Sequence, residues 1–113
     1  MQTEPDGQLL EKEFKSVEFQ FIRRFGKKPS LEAILLMIGY QESPEVKNSQ
    51  NKEEKLDLIN LGILTVLEKE GLFYRVSSDS GWPAFEPTDK VPAEDRETLV
   101  RRGIVRYFKE NGI

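Results

Sequence analysis

Histidine and cysteine are both absent from the 113 residues of this chain. Those side chains carry most proton transfer near neutral pH, most thiol chemistry and most zinc ligation, so chemistry here is confined to carboxylates, lysines, tyrosines and hydroxyls. Without cysteine there is no disulfide scaffold, which fits a reducing compartment. An excess of one charge is missing too: 17 basic against 20 acidic residues leave a net charge of -3, and bulk electrostatics favour neither nucleic acid nor an anionic membrane. Long apolar runs are also lacking. The longest, Ala33 to Ile38, falls far short of the roughly 20 residues that span a bilayer. The opening Met-Gln-Thr-Glu-Pro-Asp-Gly is acidic and has no apolar core, unlike a secretory signal. Cytoplasmic residence is the resulting expectation. No glycine-rich phosphate loop or calcium-loop pattern occurs, and no cofactor is expected.

What is present describes one small helical domain. A hydrophobic share of 37% suffices for a single compact core at this length. Residues 1–7 lack an apolar period and read as a frayed terminus, leaving 8–111 as the domain. Leu10, Phe14, Val17, Phe21 and Phe25 recur at helical spacing and predict a first helix over Gln8 to Phe25, stopped by Gly26 in a left-handed conformation. Ser30 can cap a second helix, apolar on nearly every side and hence expected to be buried all round, ending between Gly39 and Glu42 before Ser43-Pro44. A polar connection follows. Lys52 to Glu70 gives the strongest helix, with Leu56, Ile59, Ile63, Val66 and Leu67 as its main face, Leu58, Leu61 and Leu64 widening it, and Gly71 closing it. Leu72 to Val76 and Trp82 to Glu86 then predict a hairpin turning over Ser77 to Gly81. After Pro92 and an acidic first turn at Glu94-Asp95, Leu99, Val100, Ile104, Tyr107 and Phe108 mark the inner face of a last helix. The fold class is therefore mainly α, four helices with a two-stranded β-hairpin between the third and fourth. Its centre is expected at the second and third helices, through Ile34, Leu35, Ile38, Ile59, Ile63 and Leu67.

Three features carry candidate function. The only tryptophan, in Gly81-Trp82-Pro83, sits beside a polar turn with Asp79 and near Tyr74; these five residues are the candidate partner contact. The competing reading folds Trp82 over the helices as an anchor of the hairpin. Basic residues form two clusters, Arg23, Arg24, Lys27, Lys28 and Arg101, Arg102, Arg106, Lys109, each in later turns of a helix where the dipole favours positive charge without a ligand. Carboxylates such as Glu53 and Asp57 stand one helical turn apart, which by itself makes a surface helix rather than a cation site. The order of the third helix, hairpin and polar turn imitates a winged helix. Lys52 to Glu70, however, holds three lysines against five acids, the wrong sign for phosphate.

The segments Leu35-Leu36-Met37-Ile38-Gly39-Tyr40-Gln41-Glu42, Lys52-Glu53-Glu54-Lys55-Leu56-Asp57-Leu58, Gly81-Trp82-Pro83 and Tyr107-Phe108 resemble a group of small uncharacterised bacterial proteins, mainly from Bacteroidetes. The similarity runs from about Pro29 to Phe108 and implies no established activity. That group often has histidine at the positions of Asn60 and Ala84, so a metal or proton-transfer role borne by those side chains does not pass to this chain. The expected function is a non-enzymatic cytoplasmic interaction or accessory protein with a protein partner. A winged-helix-like nucleic-acid regulator and a carboxylate-dependent enzyme are the alternatives; neither a membrane nor a metal is expected.

Overall fold

The computed structural model describes residues 6–43, 52–79 and 82–111. Its elements run α1 (Asp6–Phe25), α2 (Leu31–Glu42), α3 (Lys52–Lys69), β1 (Phe73–Val76), β2 (Ala84–Pro87) and α4 (Arg96–Asn111). Four helices and one antiparallel two-stranded sheet between α3 and α4 are the mainly α architecture expected. The helix α1 starts two residues before Gln8, taking in Asp6 and Gly7 of the segment read as frayed. A first helical turn need bury nothing, so the helix begins ahead of its apolar period.

Local signals set most of the boundaries. Gly26 and Gly71 take φ of 85° and 81°, the left-handed region that ends a helix at little cost to glycine. The Ser30 hydroxyl accepts the Ala33 amide at 3.0 Å and caps α2. Asp95 does the same for α4, accepting the Thr98 amide at 2.8 Å. Thus Glu94-Asp95 precedes α4 instead of forming its first turn, and Pro92 lies outside it. The hydroxyl and amide of Thr98 hold the Asp95 carboxyl below its usual pKa.

The helices α2 and α3 run antiparallel and meet at backbone distance. A Cβ built on Gly39 would come closer than 3.0 Å to the Leu58 backbone, and one on Gly62 would do the same at Leu35. Gly103 of α4 approaches Val66 of α3 in the same way. Small residues let helix backbones touch, gaining dispersion contact along the whole crossing. This geometry rotates α3 relative to the expected face. Leu58, Leu61, Gly62, Thr65, Val66 and Leu67 are buried, whereas Ile59, Ile63 and Leu64 are half-buried and Leu56 is exposed. Glycine and threonine do not register in an apolar count, so the pattern points one step around the helix. Thr65 is accommodated because its hydroxyl donates to the Leu61 carbonyl at 2.8 Å.

The centre also shifts. Seven consecutive-turn residues of α4, Leu99, Val100, Gly103, Ile104, Val105, Tyr107 and Phe108, are buried. This helix packs on both α3 and α1, and Phe14, Val17 and Phe21 of α1 join its core. Meanwhile α2 is not buried all round: Ile34, Leu35, Ile38 and Gly39 are, but Ala33 is exposed and Leu36 and Met37 are half-buried. Helices α3 and α4 therefore hold the middle, with α2 on one flank. In the sheet Phe73 pairs with Pro87, Tyr74 with Glu86, Arg75 with Phe85 and Val76 with Ala84. The second strand starts at Ala84 and not at Trp82, because Pro83 has no amide to give a ladder.

Gly62→Ala should lower stability by about 1 to 3 kcal/mol in urea denaturation, since forced overpacking outweighs the gain of about 1 kcal/mol in helix propensity. A more stable Gly62→Ala protein would show that the α2 and α3 backbones do not touch.

Candidate functional site

The hairpin residues singled out in the sequence are spread along the chain's turn and not gathered by its ladder. Tyr74 is exposed and stands across from Glu86; Asp79 is exposed in the connection; Trp82 and Pro83 are half-buried and precede β2. Gly81, with its expected positive φ, lies outside the described residues. Trp82 is half-buried, short of both the full burial of a core anchor and the full exposure of a contact. Arg75 fastens the hairpin to the helices. Its guanidinium lies 5.0 Å from the Phe85 ring centroid, 2.6 Å from Glu42 Oε1 and 3.2 Å from Glu68 Oε1, tying β1 to the ends of α2 and α3.

The second basic cluster is occupied by carboxylates. Arg101 meets Glu97 at 3.0 Å, Arg102 meets Glu70 at 2.7 Å and Glu94 at 3.1 Å, Arg106 meets Glu70 at 2.7 Å, and Lys109 pairs with Glu13. The Glu70 side chain is 1% exposed and receives one arginine on each oxygen. A buried carboxylate is tolerable only with such pairing, and the pair fastens the end of α3 to α4. The Arg102 hydrogen bond also holds the Glu94 carboxyl below its usual pKa. Nothing in the helical period of α3 marked Glu70; only its position just past the last apolar residue distinguished it.

Tyr107 closes a second polar junction. Its hydroxyl, 1% exposed as a residue, lies 2.8 Å from Glu42 Oε2 and 2.9 Å from Gln41 Oε1, with one proton to donate. Burial, and then the neighbouring Glu42 carboxylate, push its pKa well above 10.0. Glu53 and Asp57 are exposed at the start of α3, and among the described residues no three acids converge on a metal position. Asn60 is exposed on α3, and Ala84 is half-buried at the start of β2.

The first basic cluster stands differently. Among the described residues, Arg23, Arg24, Lys27 and Lys28 form no ion pair, and all four are exposed. Lys27 and Lys28 border an open groove of about 640 Å³ whose walls also include Phe25, Ala33, Leu36 and Met37. A contiguous depression beyond Phe25 and Met37 is lined by Phe19, Arg23 and Arg24. Phe19 and Phe25 are 57% and 59% exposed, and Ile22 between them is also exposed. Among the described residues no acidic side chain lines either depression; Glu18 and Glu32 are near in sequence but outside the lining. The two basic clusters share no lining in these depressions, so they do not form one patch there. Inspection of the sequence missed the groove, although a twelve-residue helix with too much apolar surface to bury was its signal.

Comparison of the chain with family models, with curated proteins and with solved structures gives no match.

The raised pKa of Tyr107 stabilises the fold fully below about pH 10, the ordinary tyrosine value, and that contribution fades as pH rises above it. Tyr107→Phe should cost about 1 kcal/mol near neutrality. The gap from the native protein should narrow between about pH 9 and 12, as measured by urea denaturation, because the variant has no phenol to ionise. A gap that stays constant over that range would contradict the buried protonated phenol.

Proposed function

We propose that this chain is a non-enzymatic cytoplasmic interaction protein, and that its contact surface is the groove between the carboxyl end of α1 and α2. The observation that carries this reading is the exposure of Phe19 and Phe25 in the lining of adjoining depressions that also take in the half-buried Leu36 and Met37. Their exposure leaves apolar area in water that a docked protein would cover, at about 25 cal/mol per Å² removed. Few residues in such a patch need supply most of the energy, and large apolar side chains at a groove floor are suited to do so.

Two alternatives receive less support. A nucleic-acid regulator of the winged-helix kind would set α3 and the hairpin against phosphate, yet Lys52 to Glu70 holds three lysines against five acids, and Arg101, Arg102, Arg106 and Lys109 each face a carboxylate. A carboxylate enzyme needs acids facing each other across a cleft, and the ion-paired acids here are engaged by arginines, lysines or Tyr107.

Phe19→Ser tests the assignment because its side chain is mostly in water. The variant should unfold within about 1 kcal/mol of the native protein. It should also lose a partner that the native chain retains in affinity capture from its own cell extract. Retention of that partner by Phe19→Ser, combined with loss in Tyr74→Ala or Trp82→Ala, would move the contact to the hairpin and overturn the groove.

A further inference from the structure

We infer, on the reading that the groove docks a protein, that its occupant is an acidic amphipathic helix of a different protein. Lys27 and Lys28 line the groove, Arg23 and Arg24 line the depression that adjoins it, and among the described residues no carboxylate lines either to answer these four cations. The carboxyl end of α1 offsets only about half a unit of that charge. Every cation of the other cluster has a carboxylate partner in this same molecule, so of the two clusters only this one stands without ion pairs among the described residues.

The floor supplies the second half of the recognition. Ala33, Leu36 and Met37 lie along α2 at spacings of three and one, while Phe19 and Phe25 stand up from α1 on the other side. Apolar walls on two helices with a small residue between them accept a third helix by its apolar stripe. Acids on that helix, flanking the stripe, would reach the basic rim and fix its direction in the groove. Methionine in the floor adapts to the shape of the inserted side chain.

Other occupants fit less well. A second copy related by a twofold axis would set one basic cluster against its twin, because an isologous contact uses the same patch twice. An anionic membrane is flat and takes in side chains that protrude, and it would leave the concave floor at Ala33 and Leu36 uncovered.

The test uses the full chain, labelled with ¹⁵N, and synthetic helical peptides of about 16 residues, roughly four turns. One carries leucines at i, i+3, i+4 and i+7 with glutamates elsewhere. Its counterpart has every glutamate replaced by lysine. The glutamate peptide should bind at least about tenfold more tightly than the lysine peptide, and weaken as salt rises from about 50 to about 500 mM. Amide shifts should concentrate at 19–28 and 33–40. The double substitution Arg24→Glu with Lys28→Glu should cost at least about tenfold in affinity, with the helical circular-dichroism signal unchanged.

Equal or tighter binding of the lysine peptide overturns the acidic helix, as does binding that maps elsewhere or no binding of either peptide. If Phe19→Ser still loses its cellular partner in those cases, the docking reading survives without this occupant. Binding to phosphatidylserine vesicles in place of peptide overturns both. Self-association in sedimentation, abolished by Phe19→Ser and without peptide binding, replaces the occupant with a second copy.

Discussion

The backbone contact between α2 and α3 is the constraint from which the other positions follow. Gly39 rests on Leu58 while Gly62 rests on Leu35, so each helix offers a missing side chain to the other. The reciprocity sets both the antiparallel sense and the rotation of α3, because any other register would put a Cβ into a carbonyl. With that rotation, Val66, one turn beyond Gly62, faces Gly103 and draws α4 onto α3 beside the α2 contact. The position of α1 is then a consequence of α4, through the Phe21 and Phe108 rings at 5.8 Å and the Arg101 guanidinium 4.8 Å from the Phe14 ring centroid.

Polar groups complete what close packing leaves open. Where α3 ends, its last carbonyls need partners and the chain must turn toward β1. Lys90 donates to the Glu70 carbonyl at 2.7 Å, and Thr88 donates its hydroxyl to the Gly71 carbonyl at 2.7 Å. The same corner holds the Glu70 carboxylate between Arg102 and Arg106, so one residue joins the helix end, the approach to α4 and α4 itself. At the far end of α2, Glu42 receives both Arg75 and Tyr107. These two acids convert part of the positive charge of α4 and the hairpin into internal structure. Among the described residues the basic side chains at the end of α1 have no such acid, and the contrast between the clusters is the electrostatic basis for placing a contact there.

Sequence periodicity showed the number and order of elements because helices that bury a stripe must repeat apolar residues near every 3.6 positions. The stops at Gly26 and Gly71 and the cap at Ser30 were equally legible, each being a local effect of one residue's conformation or hydroxyl. Burial depended on neighbours and was less visible. Gly62 and Thr65 occupy the buried side of α3 precisely where an apolar count finds little, and Leu56 enters that count yet faces water. The run of apolar residues in α2 was read as full burial, while Ala33 is exposed, so the same signal instead marked an open groove. Glu70 and Arg106 are 36 residues apart, a distance over which no local pattern connects a carboxylate to its guanidinium.

The groove and the core thus share α2: one side is locked by glycine contacts and the other is left to a partner. That division implies a rigid floor and a less constrained α1 rim. Native-state hydrogen exchange measures it directly, since amides that open only with global unfolding are separated from those released by smaller openings. The slowest amides should be those of 35–39, 58–67 and 103–105, with the amides of 19–25 exchanging faster. If 19–25 are protected as strongly as the whole molecule while 35–39 and 58–62 exchange through a lower-energy opening, the α2 and α3 contact is not what holds this fold.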